Sequence, residues 1–299
     1  MESKTNYMRR LLLLPLILIV LTSGCTIDPG PIQATGPGVV VKNFVPDFPE
    51  VSSTEEVSFI ALIQNTGSNR AEYVKAEILG LEEWELVGYK YPECASGFDL
   101  IQADAHVGTS GEIKTCSWVY EAPQLPPDIS LVYEPVLRVY YNYMSNTVSS
   151  ISIVPRNELR RLQNSGQSLP VDVKSSTSGP LTISIQTEPI LSFEPRATFP
   201  VTITVANNEG GIACYLPDCT KNTNWNKVLL NFDLDPMMSL VDCSDMELTL
   251  YKGKSNSITC KVEVFDIPED TISKRTISVT ATYDYMIEKS AEVKVKSSL

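Results

Sequence analysis

Two patterns of apolar residues divide the chain. Between Leu11 and Leu21 they are consecutive, almost wholly Leu, Ile and Val, with Pro15 inside. Further on they alternate with polar ones. Val57, Phe59, Ala61 and Ile63 take every second place, as do Phe199, Val201, Ile203 and Val205. Leu137, Val139, Tyr141 and Tyr143 do the same, and so do Val279, Ala281, Tyr283 and Tyr285. A period of two puts successive side chains on opposite faces of a strand, so each run predicts a half-buried strand. Long runs of period 3.6 are absent, and Gly, Pro, Asn and Ser turns separate the strand-like segments. That pattern predicts an all-β, sandwich-type fold.

The strands repeat. The run from Val57 to Asn65 recurs as the run from Phe199 to Asn207, and Tyr141–Met144 recurs as Tyr283–Met286 at the same offset in numbering. Equal offsets at both ends mark an internal duplication. It divides the chain into two Ig-like β-sandwich domains, residues 38–155 and 179–296, joined by a linker over 156–178. In that linker, residues 157–162 have the composition of a helical turn or two, and 164–168 and 175–179 that of a flexible tether. Cys94 and Cys116 in the first copy correspond to Cys243 and Cys260 in the second, which predicts the bonds Cys94–Cys116 and Cys243–Cys260. About a dozen extra residues in the second copy carry Cys214 and Cys219, which are left to pair with each other. Disulfides are the expectation for an even set of cysteines in an exported chain.

Export is read from the N-terminus. Lys4, Arg9 and Arg10 precede the apolar run, and Thr22, Ser23 and Gly24 lead into Cys25. A basic start, a short apolar core and small residues before a cut site make a secretory signal peptide over residues 1–24. The Cys at its end resembles the lipobox of surface lipoproteins, although Thr22 stands where Leu is usual. The resemblance implies lipidation of Cys25, a membrane anchor there, and an extracytoplasmic location at the cell membrane. The alternative is a retained signal anchor, which the run's length opposes, since a span needs about 20 apolar residues. Residues 25–37, rich in Pro, Gly and Thr, read as a tether.

The segment Gly38–Phe44, with Glu55, Val57 and Phe59, and then Gln64, Asn65 and Gly67, resembles the CARDB and related Ig-like modules of archaeal and bacterial surface proteins. The resemblance covers both units and implies a fold and a cell-surface setting, with archaea as the first expectation for the source. Adhesion, often ascribed to such modules, does not carry over residue by residue.

Charge narrows the partners. The net charge is −12. Removing residues 1–24 takes away Lys4, Arg9, Arg10 and Glu2, which leaves 21 basic against 35 acidic side chains, a balance of −14. Nucleic acid, which calls for clustered Lys and Arg, is excluded as a partner. Catalytic and metal constellations are not found. His106 is the single histidine and no nucleophile elbow accompanies it. Glu82 with Glu83, Asp233 with Asp235, and Asp242 with Asp245 lack the spacing of a calcium loop. No cofactor is implied. Trp118 reads as a core residue. Trp84 and Trp225, near turns, are open to two readings, core packing or stacking on a glycan or protein partner. The reading that results is a non-catalytic, membrane-anchored surface protein acting as spacer, adhesin or envelope-assembly subunit. The alternative is a carbohydrate-binding or envelope-processing component.

Overall fold

The structure, a computed structural model, describes residues 36–298 apart from 90–92, 106, 171, 188–189, 193–195, 217–218 and 244–245. The first repeat supplies β1 (Val39–Pro46), β2 (Glu50–Ser52), β3 (Glu56–Asn65), β4 (Ala71–Leu79), β5 (Glu85–Tyr89), β6 (Phe98–Leu100), β7 (Ile113–Glu121), β8 (Ser130–Tyr133) and β9 (Val136–Pro155). The segment predicted as a linker holds the helical turns expected over 157–162 and a short strand besides. It carries α1 (Arg156–Ser165), ended by Gly166 in the left-handed region (φ 65°), and β10 (Val173–Ser176), which pairs with β9. The second repeat supplies β11 (Leu181–Thr187), β12 (Ile190–Ser192), β13 (Ala197–Asn207), β14 (Ile212–Cys214), β15 (Lys227–Leu234), β16 (Met238–Leu240), β17 (Glu247–Thr249), β18 (Ser255–Val264), β19 (Ser273–Ser290) and β20 (Val293–Lys296).

The fold is all-β, and the duplication is visible in its sheets. β1-β3-β7-β5 and β11-β13-β18-β16 are equivalent four-stranded antiparallel sheets. Their inward faces carry the alternating residues: Val57, Phe59, Ala61 and Ile63 in one, Phe199, Val201, Ile203 and Val205 in the other, all buried. Most of the remaining strands of both repeats lie in a single sheet whose main path is β17-β15-β19-β9-β4-β6, while β2, β20 and β8 form a separate three-stranded sheet. One continuous apolar core runs through both repeats.

The join between repeats is the pairing of β9 with β19, antiparallel from Val136↔Ser290 to Ile153↔Ser273. Its register sets Asn142 opposite Asp284. Those two residues are separated by the repeat offset itself, so each meets its own equivalent, which marks a local two-fold axis between them. Tyr141 lies opposite Tyr285 and Tyr143 opposite Tyr283. The four rings, all buried, pack around this axis with centroids 5.7–6.3 Å apart.

The same register continues past the ends of β19. β20 pairs with β8, from Val293↔Tyr133 to Lys296↔Ser130, and also lies parallel to β2. The last strand of the second repeat therefore completes a sheet of the first. Reciprocally, the C-terminal end of β9 pairs with β12 and with the start of β19, both in the second repeat. Ile151, Ile153, Val293 and Val295 are fully buried in these exchanged ends. Burying a valine or isoleucine side chain is worth roughly 1.5–3 kcal/mol, so each exchange is a substantial tie. The middle of β9 crosses between repeats on small hydroxyl residues, with Ser145 and Thr147 donating to the Leu181 and Ile183 carbonyls at 2.8 Å.

Local hydrogen bonding repeats as well. Asn65 donates to the carbonyls of Asn69 and Leu100 and accepts from the Gly67 amide. Asn207 donates to Gly211 and Gly253 and accepts from Glu209. Each asparagine thus closes its own turn two residues on and ties the turn to a neighbouring loop.

Disulfides join Cys94 to Cys116, Cys243 to Cys260 and Cys214 to Cys219, the pairs the repeat predicts. The first two close loops with sequence separations of 22 and 17. Replacing either pair by alanines should cost about 3 kcal/mol by the loop-entropy argument and lower the melting temperature. Removing Cys214–Cys219, with a separation of 5, should move the melt much less while exposing the segment around it to protease. A larger melting shift for that short loop than for the two long ones would contradict the argument.

Candidate functional site

Among the residues singled out from the sequence, Cys25 and His106 lie outside the described residues. Trp84 is a core residue. It is 6% exposed, and its ring packs edge-on against Tyr133, 5.3 Å between centroids, and against Phe59. Trp118 is buried in β7, as its alternation predicts. Trp225 is half-buried, with Nε1 donating to the Cys219 carbonyl at 2.8 Å. That bond ties it to the insertion of the second repeat; Trp84 is closed off in the core, while Trp225 keeps part of its surface exposed. Among the described residues no three His, Cys, Asp or Glu side chains gather as a metal site, and no helix is long and apolar enough to cross a membrane.

The insertion builds the most distinctive surface. β14 pairs with β19, Ile212 opposite Met286, and Cys214 and Cys219 close a knob over Met286, against Tyr140 and Trp225. Met286 is 4% exposed beneath it, whereas its equivalent, Met144, is 44% exposed. The first repeat has no such insertion, so only one side of the pseudo-two-fold axis is covered.

Between this knob and β4 lies a cleft of about 830 Å³. Tyr73 and Lys75 of β4 lie on one side, and Leu216 and Thr220 of the knob on the other. Tyr140, Asn142 and Asp284, at the pseudo-axis, make the floor. Trp118, Tyr120 and Ile78 line an apolar inner end. The Tyr140 hydroxyl donates to Glu77 Oε1 at 2.9 Å and accepts from Arg138 at 3.4 Å. Arg138 also pairs with Glu288 at 2.6 Å. Burial pushes the Tyr140 pKa up and Glu77 adds to this, while Arg138 opposes it, so the phenol stays protonated at neutral pH. Asn142 donates to Asp284 Oδ1 at 3.3 Å.

Tyr73 has an unusual backbone. The register of β4 on β9 slips between Glu72 and Lys75, and Tyr73 sits in this bulge at φ 52°. Its ring is 72% exposed. Sequence reading missed it, because a bulge depends on which strand is paired rather than on the local pattern.

A smaller crevice of about 310 Å³ lies beside β1, against Glu209, Gly210 and Gly211. At the equivalent place across the axis, Ser68 and Ser178 bond each other, Ser178 N to Ser68 Oγ at 2.7 Å and Ser68 Oγ to the Ser178 carbonyl at 3.1 Å. Their counterparts at the repeat offset are Gly210 and Gly36, which have no hydroxyl to close the gap.

No protein family model matches the chain, and no curated protein matches it. Among solved structures it is similar to a protein of unknown function from Porphyromonas gingivalis W83, 10% identical over 88% of this chain and 100% of that one, with a TM-score of 0.21. It is also similar to trypsin-activated alpha-2-macroglobulin from Escherichia coli, 7% identical over 87% of this chain and 18% of that one, with a TM-score of 0.22. A third is the CupB6 tip adhesin from Pseudomonas aeruginosa, 7% identical over 89% of this chain and 94% of that one, with a TM-score of 0.15. Scores this low carry no argument about function.

Proposed function

We propose that the chain is a non-catalytic protein held at the outer face of a prokaryotic membrane through a lipid on Cys25, where its two repeats act as one stiff adhesive or spacing body. The observation that carries this reading is the reciprocal exchange of strands between repeats. A body built to close on a substrate has a hinge between its halves. Here β9 and β19 cross that position as an unbroken paired ribbon and β20 is locked into the far repeat, so the halves keep one orientation under load. The acidic surface suits an exported protein that stays soluble at its anchor. The cleft beside the knob favours a second reading, in which the adhesive partner is carbohydrate.

The anchor is tested by Cys25→Ser. The variant should leave the membrane fraction or accumulate as an unprocessed precursor of lower mobility on a gel. If it fractionates and migrates like the wild type, the lipoprotein reading fails and the retained signal anchor takes its place.

A further inference from the structure

We infer that the cleft between β4 and the disulfide knob binds a neutral oligosaccharide, with Tyr73 as the stacking platform at its rim. This deepens the carbohydrate reading of the same cleft and rests on it.

The first support is the conformation of Tyr73. A left-handed residue at a β-bulge is usually glycine, and a bulky side chain there is strained. Yet the ring at φ 52° is 72% exposed, so no packing of the ring repays that strain. The bulge is clamped from outside. Asp99 accepts a hydrogen bond from the Tyr73 amide at 3.1 Å and is itself held by Arg70 at 2.7 Å. The fold therefore fixes the backbone that carries an aromatic ring, at some cost, on the lip of its larger cleft.

The second support is the floor. Asn142 and Asp284 lie side by side, and Glu77 and Tyr140 are hydrogen-bonded beside them. An amide, two carboxylates and a phenol together offer both donors and acceptors in planar groups, the set that matches ring hydroxyls, which also donate and accept. Tyr73 would cover an apolar sugar face while this floor reads the hydroxyl edge.

Charge chooses the class of sugar. Among the described residues that line the cleft, two carboxylates stand against one ammonium, Lys75, on a chain of net charge −12. Phosphorylated, sulfated or uronic-acid glycans are repelled, which leaves neutral ones. A basic peptide is the other candidate on charge alone, and the exposed Tyr73 ring on the lip favours the sugar.

The test is titration of the full chain in detergent with tetrasaccharides of glucose, mannose, galactose and N-acetylglucosamine, followed by calorimetry and by tryptophan fluorescence. Saturable binding to at least one is expected. Tyr73→Phe should keep it, and Tyr73→Ala should weaken it by about tenfold, the scale of one aromatic stacking contact. Tyr73→Gly should lose binding and yet melt roughly 1–3 °C higher, because the left-handed strain is relieved. A residue kept for stability would show the opposite sign. No saturable binding to any of the four, binding that Tyr73→Ala leaves intact, or binding of an oligolysine peptide in their place overturns the proposal. These titrations do not depend on the anchor, so their failure leaves the membrane reading to be decided by Cys25→Ser.

Discussion

Residues 36–155 expressed without the rest of the chain should not persist as a folded monomer; they should elute as a dimer. Cut at Pro155, the first repeat loses β20, which lies between β2 and β8, and loses the partner of β9. Three bare strand edges, those of β2, β8 and β9, and the sites left by Val293 and Val295 would face water, an arrangement prone to pairing with another chain. A second copy can supply what is missing. The two-fold relation puts Asn142 of one copy opposite Asn142 of the other, and at that register Ile151 faces Tyr133, the place Val293 holds in the intact chain. The exchanged ends are alike in pattern, Ile151-Ser152-Ile153-Val154 against Val293-Lys294-Val295-Lys296. An isologous dimer closed by strand exchange is thus the natural state of the fragment. Light scattering on the eluted peak gives the mass. A monomer that unfolds cooperatively would show that each repeat is autonomous and that the exchange is ornamental.

Much of the architecture was legible in the sequence because it rests on local alternation and on duplication. Val57 to Ile63 and Leu137 to Tyr143 announce their faces residue by residue, and their copies in the second repeat confirm the strands. The cysteine pairs were legible for the same reason. What was not legible depends on pairing between strands far apart in sequence. The alternation of Tyr141, Tyr143, Tyr283 and Tyr285 shows that all four point inward. Nothing local shows that the two strands carrying them lie side by side about a two-fold axis. The segment 173–176 has linker composition, with Ser175 and Ser176, yet it is a strand because β9 extends far enough to give it a partner. Trp84 and Trp225 were visible as tryptophans near turns, but whether such a ring is buried is settled by neighbours such as Phe59, Tyr133 and Cys219. Tyr73 was missed because its bulge is a mismatch of register between β4 and β9, which has no signature in either strand alone.

The same tyrosine cluster should make the protein fail steeply in alkali. Burial pushes the pKa of Tyr143 up to about 12, raises those of Tyr283 and Tyr285 further, and lifts that of Tyr141 well above the usual phenol value. Hydrogen bonds oppose the shift without cancelling it: Ser145 and the Leu181 amide at Tyr283, the Gly211 amide and Asn207 at Tyr285. A phenol is neutral when protonated, so a raised folded pKa means that the native state keeps protons the unfolded chain releases near pH 10. Stability is therefore fully present below pH 10 and lost as pH rises through the folded values. Tyr143 alone, displaced by about two units, favours unfolding by about 3 kcal/mol between pH 10 and 12. With all four acting, the slope approaches about 5 kcal/mol per pH unit, enough to exhaust an ordinary folding stability before pH 12. The ionisation band near 295 nm should report it, with four of the chain's 13 tyrosines titrating only in a single step that coincides with loss of the far-ultraviolet strand signal. Two variants locate the effect. Tyr283→Phe removes a hydroxyl bonded to Ser145 at 2.7 Å and to the Leu181 amide at 3.3 Å, and should destabilise at neutral pH by about 1–3 kcal/mol. Tyr141→Phe removes a buried hydroxyl that faces Val39 without a hydrogen bond of normal geometry, and should be neutral or stabilising while moving the alkaline transition to higher pH. Smooth titration of all tyrosines near pH 10 with the fold intact would mean that the rings at the pseudo-axis are open to water and that the halves do not close on each other there.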